Sequence, residues 1–162
     1  GVVMIGEKSI TKIDIEQWRH QLGVVLQEPT IFNGTLLFNI TFKTYDELSN
    51  EEILELEILL FNLGLKRFIQ TLPDGLNSLI SDRGLTLSGG QRQRIGLARE
   101  IFRKPNYLFI DEATSALDSE NEIAVWKLLE NLNYDYTLVV ISHTDPKLHI
   151  EFDQVINMNA IT

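Results

Sequence analysis

Cysteine is absent from the 162 residues. That excludes a disulfide framework and thiolate metal sites, and it fits a reducing compartment. Proline is scarce, at 4 residues, and no repeat, linker or low-complexity tract divides the chain. No apolar run approaches the length that spans a bilayer, and the N-terminus lacks a signal-peptide pattern, so the chain by itself reads as soluble. Positive charge is in the minority: 14 Lys and Arg stand against 23 Asp and Glu, a net charge of −9. With no basic block, binding of nucleic acid through its phosphates is not expected. His20, His143 and His149 show no metal-ligand spacing, and no Ser-His-Asp order of a hydrolase is present. What is there is ordinary for a globular domain. Hydrophobic residues make up 44% and charged ones 23%, in a chain long enough for one full-sized core.

The chain opens on Gly1-Val2-Val3-Met4-Ile5-Gly6, four apolar residues between glycines, a pattern expected of an interior strand. It fits a domain that begins with a strand, and equally a fragment of a larger unit. Asp14 with Gln17 starts a helix through Trp18 and Leu22, with Gly23 as its stop. Val24-Val25-Leu26 is a short strand ending at Gln27-Glu28-Pro29. Ser49 and Glu52 form a capping box for a helix through Ile53, Leu54, Leu56, Leu60 and Leu63 to Gly64. Pro73-Asp74-Gly75 is a turn.

From Ser88 to Arg103 the apolar positions Ile95, Ala98, Ile101 and Phe102 predict an amphipathic helix. Tyr107-Leu108-Phe109-Ile110 reads as a strand covered on both faces. Ser119 and Glu122 cap a helix through Val125, Leu128 and Leu129, a helix that Asp118 is also placed to cap. Thr137 to Ile141 is expected as a buried strand and Gln154 to Met158 as a last one. Strand–helix–strand order points to a parallel sheet with crossover helices, hence an α/β fold. Ligands of such sheets sit beyond the carboxyl ends of the strands, which directs attention to Gln27, Asp111-Glu112 and His143.

Leu87-Ser88-Gly89-Gly90-Gln91 stands at a helix start. Two glycines there let a phosphate approach backbone amides, although an ordinary glycine-containing first turn reads the same way. Composition alone produces a given five-residue string at roughly one position in a million. Asp111 and Glu112 fit either a Mg²⁺ site with a base for water or a helix cap. Gln27 fits a weak oxygen ligand or a surface amide, and His143 a structural or a functional imidazole. His20 and His149 have no such context.

Taken in order, these motifs resemble those of ATP-binding cassette (ABC) proteins. Leu87 to Arg94 resembles the signature motif and Leu108-Phe109-Ile110-Asp111-Glu112 the Walker B strand. Ser115-Ala116-Leu117-Asp118 resembles the D-loop, His143 the switch histidine and Gln27 the Q-loop glutamine. The run Gln27-Glu28-Pro29-Thr30-Ile31-Phe32-Asn33-Gly34-Thr35, with Asp82-Arg83-Gly84 before the signature, resembles the exporter branch. A Glu frequent in that branch's coupling segment is Leu79 here. The phosphate loop G-x-x-x-x-G-K-[ST] is missing. The family places it upstream of the strand where this chain begins, so the resemblance implies a nucleotide-binding domain without its N-terminal portion.

The resemblance further implies an incomplete P-loop NTPase-like core in residues 1–35 and 105–162, with a helical subdomain inserted over 36–104. In such proteins two cassettes pair head to tail around ATP. Ser88, Gly89, Gly90 and Gln91 would then touch the γ-phosphate of ATP held by a second nucleotide-binding domain, and Asp118 would report across the dimer. Asp111 and Gln27 would attend Mg²⁺, Glu112 would deprotonate the attacking water, and His143 would hold the γ-phosphate. ATP hydrolysis would drive export through transmembrane domains, placing the chain at the cytoplasmic face of a membrane. The alternative is a catalytically silent cassette that completes only a partner's ATP site.

Overall fold

The computed structural model describes residues 1–80, 87–112, 117–142 and 151–157. It opens on a tight antiparallel hairpin, β1 (Met4–Ile5) against β2 (Lys8–Ser9), turned at Gly6. Val2, Val3 and Met4 are exposed, so the interior strand expected at the N-terminus is instead a surface hairpin. Helix α1 (Ile15–His20) follows, with the Asp14 carboxylate accepting from the Glu16 and Gln17 amides.

Strand β3 (Leu22–Val25) begins two residues earlier than its apolar run suggested and includes Gly23. Gly23 is therefore a strand residue and not the helix stop. Its missing side chain is what the packing requires, because a Cβ there would lie 2.8 Å from the Pro105 ring and 3.1 Å from Leu108.

The middle of the chain is helical. The short pair β4 (Gly34–Thr35) and β5 (Leu79–Ile80) brackets α2 (Leu36–Thr41), α3 (Asn50–Asn62) and α4 (Lys66–Gln70). The capping box at α3 is formed as expected: Ser49 Oγ accepts from the Glu52 amide, and the Glu52 carboxylate accepts from the Ser49 amide. Leu79, paired with Thr35 through β5, is exposed.

Helix α5 (Gly89–Phe102), strand β6 (Tyr107–Asp111), helix α6 (Ser119–Glu130) and strand β7 (Thr137–Ile141) complete the described elements. Helix α6 is capped by Asp118, whose carboxylate accepts from the Asn121 amide, so Ser119 is the first helical residue rather than the cap. Residues 154–157 form no strand, and Met158 lies outside the described residues.

Strands β3, β6 and β7 form one parallel sheet in the order β3-β6-β7, with Val25, Ile110 and Val140 in register. Mixed α/β architecture with a parallel sheet and helices is thus as expected. Burial is one-sided, however. Leu108 and Ile110 are buried, while Val24, Val139 and Ile141 on the opposite face are exposed and Phe109 is half-exposed. The cover expected on both faces of β6 is present on one face only among the described residues, the face of the sheet on which α5 packs against Val25, and the burial expected of β7 is not met, since none of its residues is fully buried.

The core joins sheet and helices through Val25, Leu36, Ile40, Leu56, Ile95, Leu97, Leu108 and Leu129. A buried cation stands within it. Arg99 Nε donates to the Asn39 carbonyl at 2.6 Å, Nη1 to the Thr30 carbonyl at 2.8 Å and Nη2 to Asn39 Oδ1 at 3.2 Å. Its guanidinium carbon lies 4.9 Å from the Phe32 ring centre and 5.4 Å from that of Phe42. Burial pushes the Arg99 pKa down, and the neighbouring Glu100 pulls it up. Glu100 is itself pushed up by burial, against the pull of Arg103, whose Nη1 donates to Glu100 Oε2 at 2.8 Å.

Candidate functional site

Gln27 lies two residues beyond β3, and Glu112 follows β6 directly. Because β3 and β6 are parallel neighbours, both residues leave the same edge of the sheet, beyond the carboxyl ends of the strands. They are 85 positions apart in sequence, yet Gln27 Nε2 donates to Glu112 Oε2 at 3.3 Å. Asp111 is the last residue of β6 and pairs with Ile141 of β7. His143 comes two residues after β7 ends, but it lies outside the described residues, as do Ser115-Ala116 and Asp82-Arg83-Gly84.

Glu112 has a backbone φ of 49°, the left-handed region that costs a non-glycine residue about 1–2 kcal/mol. Its amide donates to the Ile141 carbonyl at 3.0 Å, so the ladder to β7 holds the residue at the point where the chain turns. Strain of this kind persists only where surroundings over-determine it, and it concentrates at functional sites. The turn brings the carboxylate to Gln27. Gln27, Asp111 and Glu112 together offer oxygen donors only, the chemistry that suits a hard cation such as Mg²⁺. One or two carboxylates, with phosphates and water completing the shell, are what Mg²⁺ ordinarily uses. These residues fit the ion.

The glycine-bearing motif opens α5. Ser88 is the N-cap: its Oγ accepts from the Gln91 amide at 3.2 Å, and Gln91 Oε1 accepts from the Ser88 amide at 2.8 Å. Gln91 thereby spends its side chain on the cap. The amides of Gly89 and Gly90, in the first turn, have no acceptor within the helix. Glycine carries no Cβ, the condition under which an anion can approach such amides closely. Arg92 Nη1 donates to the Leu87 carbonyl at 2.9 Å and holds the segment leading into the cap.

Three residues outside the expected set tie these parts together. Gln93 is 3% exposed, and its Nε2 donates to the Gln27 carbonyl at 3.1 Å. Helix α5 therefore grips Gln27 through its backbone, leaving the Gln27 side chain for Glu112. Arg94 Nη1 donates to the Leu63 and Gly64 carbonyls and to Asn121 Oδ1, at 3.3, 3.2 and 3.1 Å. Asn121 in turn donates from Nδ2 to Asp118 Oδ2 at 2.6 Å. The Asn121 backbone amide and then its side chain hold the Asp118 carboxyl below the usual aspartate value, with Arg94 adding to the effect. Arg94 is pushed down by burial and pulled back up by Asp118. Position inside the motif was the only sequence signal for Gln93 and Arg94; Asn121, a first-turn helix residue, carried none.

Helix α5 can approach the segment after Gln27 this closely because residue 96 is glycine. A Cβ on Gly96 would lie 2.6 Å from both Cβ and Cγ of Pro29. Gly96→Val is expected to force α5 and Pro29 apart and to destabilise the chain by about 1–3 kcal/mol, the usual cost of overpacking. Urea unfolding measures this, and a stability equal to wild type would mean that the contact is slack.

A parallel sheet of order β3-β6-β7 with packed helices, carboxylates lying at and just beyond the end of one strand, defines an α/β class of domain. The family model described as ABC transporter matches residues 1–115, and the chain belongs to that family. It is 38% identical over 143 residues to the multidrug resistance ABC transporter ATP-binding and permease protein of Lactococcus lactis subsp. cremoris, covering 88% of this chain and 24% of that one. It is 40% identical over 143 residues to the ATP-dependent lipid A-core flippase of Shewanella frigidimarina, covering 88% of this chain and 23% of that one. The structure of a bacterial Atm1-family ABC exporter with ATP bound superposes with a TM-score of 0.76 at 31% identity, over 89% of this chain and 24% of that chain. The chain thus spans about a quarter of the length of these relatives. No helix among the described residues is long and apolar enough to cross a membrane.

Proposed function

We propose that this chain is the signature-bearing and carboxylate-bearing part of an ABC exporter's ATPase, working at the cytoplasmic face of a membrane with transmembrane domains and a second cassette. The observation that carries the reading is the contact of Gln27 with Glu112 across the ends of β3 and β6, with Glu112 turned into place by its left-handed backbone. Residues 36–104 form the helical subdomain in this reading. The exposed face carrying Val24, Val139 and Ile141 is where the remainder of a cassette core, with its phosphate loop, packs.

Each side chain then has a task. Ser88 keeps the first turn of α5 open, so that the Gly89 and Gly90 amides meet the γ-phosphate of ATP held by the partner cassette. Gln91 locks that turn through the cap. Asp111 and Gln27 hold Mg²⁺, which, when bound, screens the charge that develops on the phosphates. Glu112 accepts the proton of the attacking water, and Gln27 orients the carboxylate that does so. His143 holds the γ-phosphate. Asp118, tied through Asn121 and Arg94 to α5, links the signature to the dimer interface.

Ser88→Arg tests action across the dimer. In a complete cassette it is expected to abolish ATP-driven dimerisation and leave monomer affinity for ATP nearly unchanged, read by sedimentation and by calorimetry. Ser88→Ala, which removes the cap alone at a cost of about 1 kcal/mol, serves as the control and keeps most dimerisation. A mixed dimer sharpens the result. With Ser88→Arg in one subunit and a broken phosphate loop in the other, one composite site stays whole and ATPase activity remains. With both lesions in one subunit, both sites are damaged. Equal activity in the two arrangements would refute the reading.

A further inference from the structure

Helix α3 buries Leu56, Leu59 and Leu60 against the core and turns a second apolar row outward. Leu54, Ile58 and Phe61 are 59%, 54% and 65% exposed. Their i, i+4, i+7 spacing places all three within about 60° of arc on one face. Single exposed apolar residues are ordinary, but three in helical register form a seam. The seam has an acidic rim. Glu51 lies on one side of it and Glu57 on the other, and both are exposed. Neither makes an ion pair among the described residues, whereas Glu52 and Glu55 on the same helix are paired with Lys43 and Lys104 at 2.6 and 2.7 Å. The face already accommodates a cation: Lys66 Nζ sits 5.8 Å from the centre of the Phe61 ring.

We propose that the outward face of α3 is a docking surface for a cationic amphipathic helix, one whose apolar seam covers Leu54, Ile58 and Phe61 while its flanking Lys or Arg residues meet Glu51 and Glu57. Charge complementarity selects this occupant. A second copy of the same face would set Glu51 and Glu57 against their own kind, and a bilayer rich in anionic lipid would meet the same carboxylates in a chain of net charge −9. A basic partner helix relieves both the exposed apolar area and the unpaired rim. The site lies on the helix face opposite the core and uses none of the residues assigned to ATP chemistry.

The probe is a synthetic peptide of about 18 residues, long enough to hold a helix, with Leu at helical spacing and Lys elsewhere. Its binding to the 162-residue chain is read by fluorescence anisotropy. Saturable binding is expected, weakened by salt, and lowered at least about tenfold by Ile58→Asn, an exposed change that leaves the circular dichroism spectrum unaltered. The pair Glu51→Lys and Glu57→Lys is expected to reverse the preference, so that a Leu/Glu peptide of the same pattern binds better than the Leu/Lys one. Unchanged affinity with Ile58→Asn, or an unchanged preference after the charge reversal, would overturn the proposal. So would self-association of the chain that Ile58→Asn abolishes, or Ile58-dependent binding to vesicles of phosphatidylcholine and phosphatidylserine in place of the peptide.

Discussion

Glu112→Gln in a complete cassette is expected to leave ATP binding intact and to lower turnover by ~10² or more, the usual scale for losing a general base. The substituted amide keeps an acceptor oxygen for Gln27 Nε2, which now donates to Glu112 Oε2 at 3.3 Å. Backbone strain at φ 49° is unchanged, because it belongs to the turn after β6 and not to the carboxylate. What is lost is the ability to accept the water's proton, so ATP should accumulate in the closed dimer. Steady-state phosphate release and nucleotide trapping measure the two halves of this expectation. Turnover at the wild-type rate would reduce Glu112 to a turn residue that happens to touch Gln27.

Arg99→Met is expected to cost about 2–5 kcal/mol of folding stability, from charged hydrogen bonds lost and acceptors left buried. The guanidinium gathers the Thr30 and Asn39 carbonyls and Asn39 Oδ1, and lies against Phe32 and Phe42. Asn39 completes the clasp: its Oδ1 accepts from the Phe32 amide at 2.8 Å, and its Nδ2 donates to the Phe32 and Thr35 carbonyls. The segment just after Gln27 is thereby pinned to α2 and α5. Loosening it should also weaken the hold on Gln27, three residues before Thr30. Arg99→Lys should recover only part of the loss, since an ammonium lacks the planar fork that reaches three acceptors at once. Urea denaturation of the three proteins gives the order. Equal stability of all three would show that water replaces the clasp at no cost.

Features that close within a few residues were legible in the sequence. Both partners of the Ser49–Glu52 box lie in one turn, so their hydrogen bonds follow from local spacing once a helix forms. Asp14 capped its helix for the same reason. Of the two caps the sequence offered for α6, Asp118 holds, its carboxylate accepting from both the amide and the side chain of Asn121, and Ser119 is the first helical residue. The strands from Tyr107 and from Thr137 were legible as apolar runs, but an apolar run does not say which of its faces will be covered. The parallel sheet buries Leu108 and Ile110 and leaves Val24 and Val139 exposed, a division made by where α5 packs. Gly1 to Gly6 failed similarly: an apolar run became an exposed hairpin because its described partner is only Lys8–Ser9.

The sequence by itself determined the parts of the proposed site: the identity and order of Gln27, Ser88 to Gln91, Asp111, Glu112, Asp118 and His143, and the resemblance they carry together. Only the tertiary structure decided which of them meet. Gln27 reaches Glu112 because β3 and β6 became parallel neighbours in register, an outcome of non-local pairing that no window along the chain contains. Gln93 reaches the Gln27 backbone because Gly96 lets α5 lie against Pro29, and Arg94 reaches Asn121 because α3 packs against both α5 and α6. Local hydrogen bonds are encoded by spacing, whereas contacts between distant segments depend on which apolar faces find each other. That choice is made by the whole core at once.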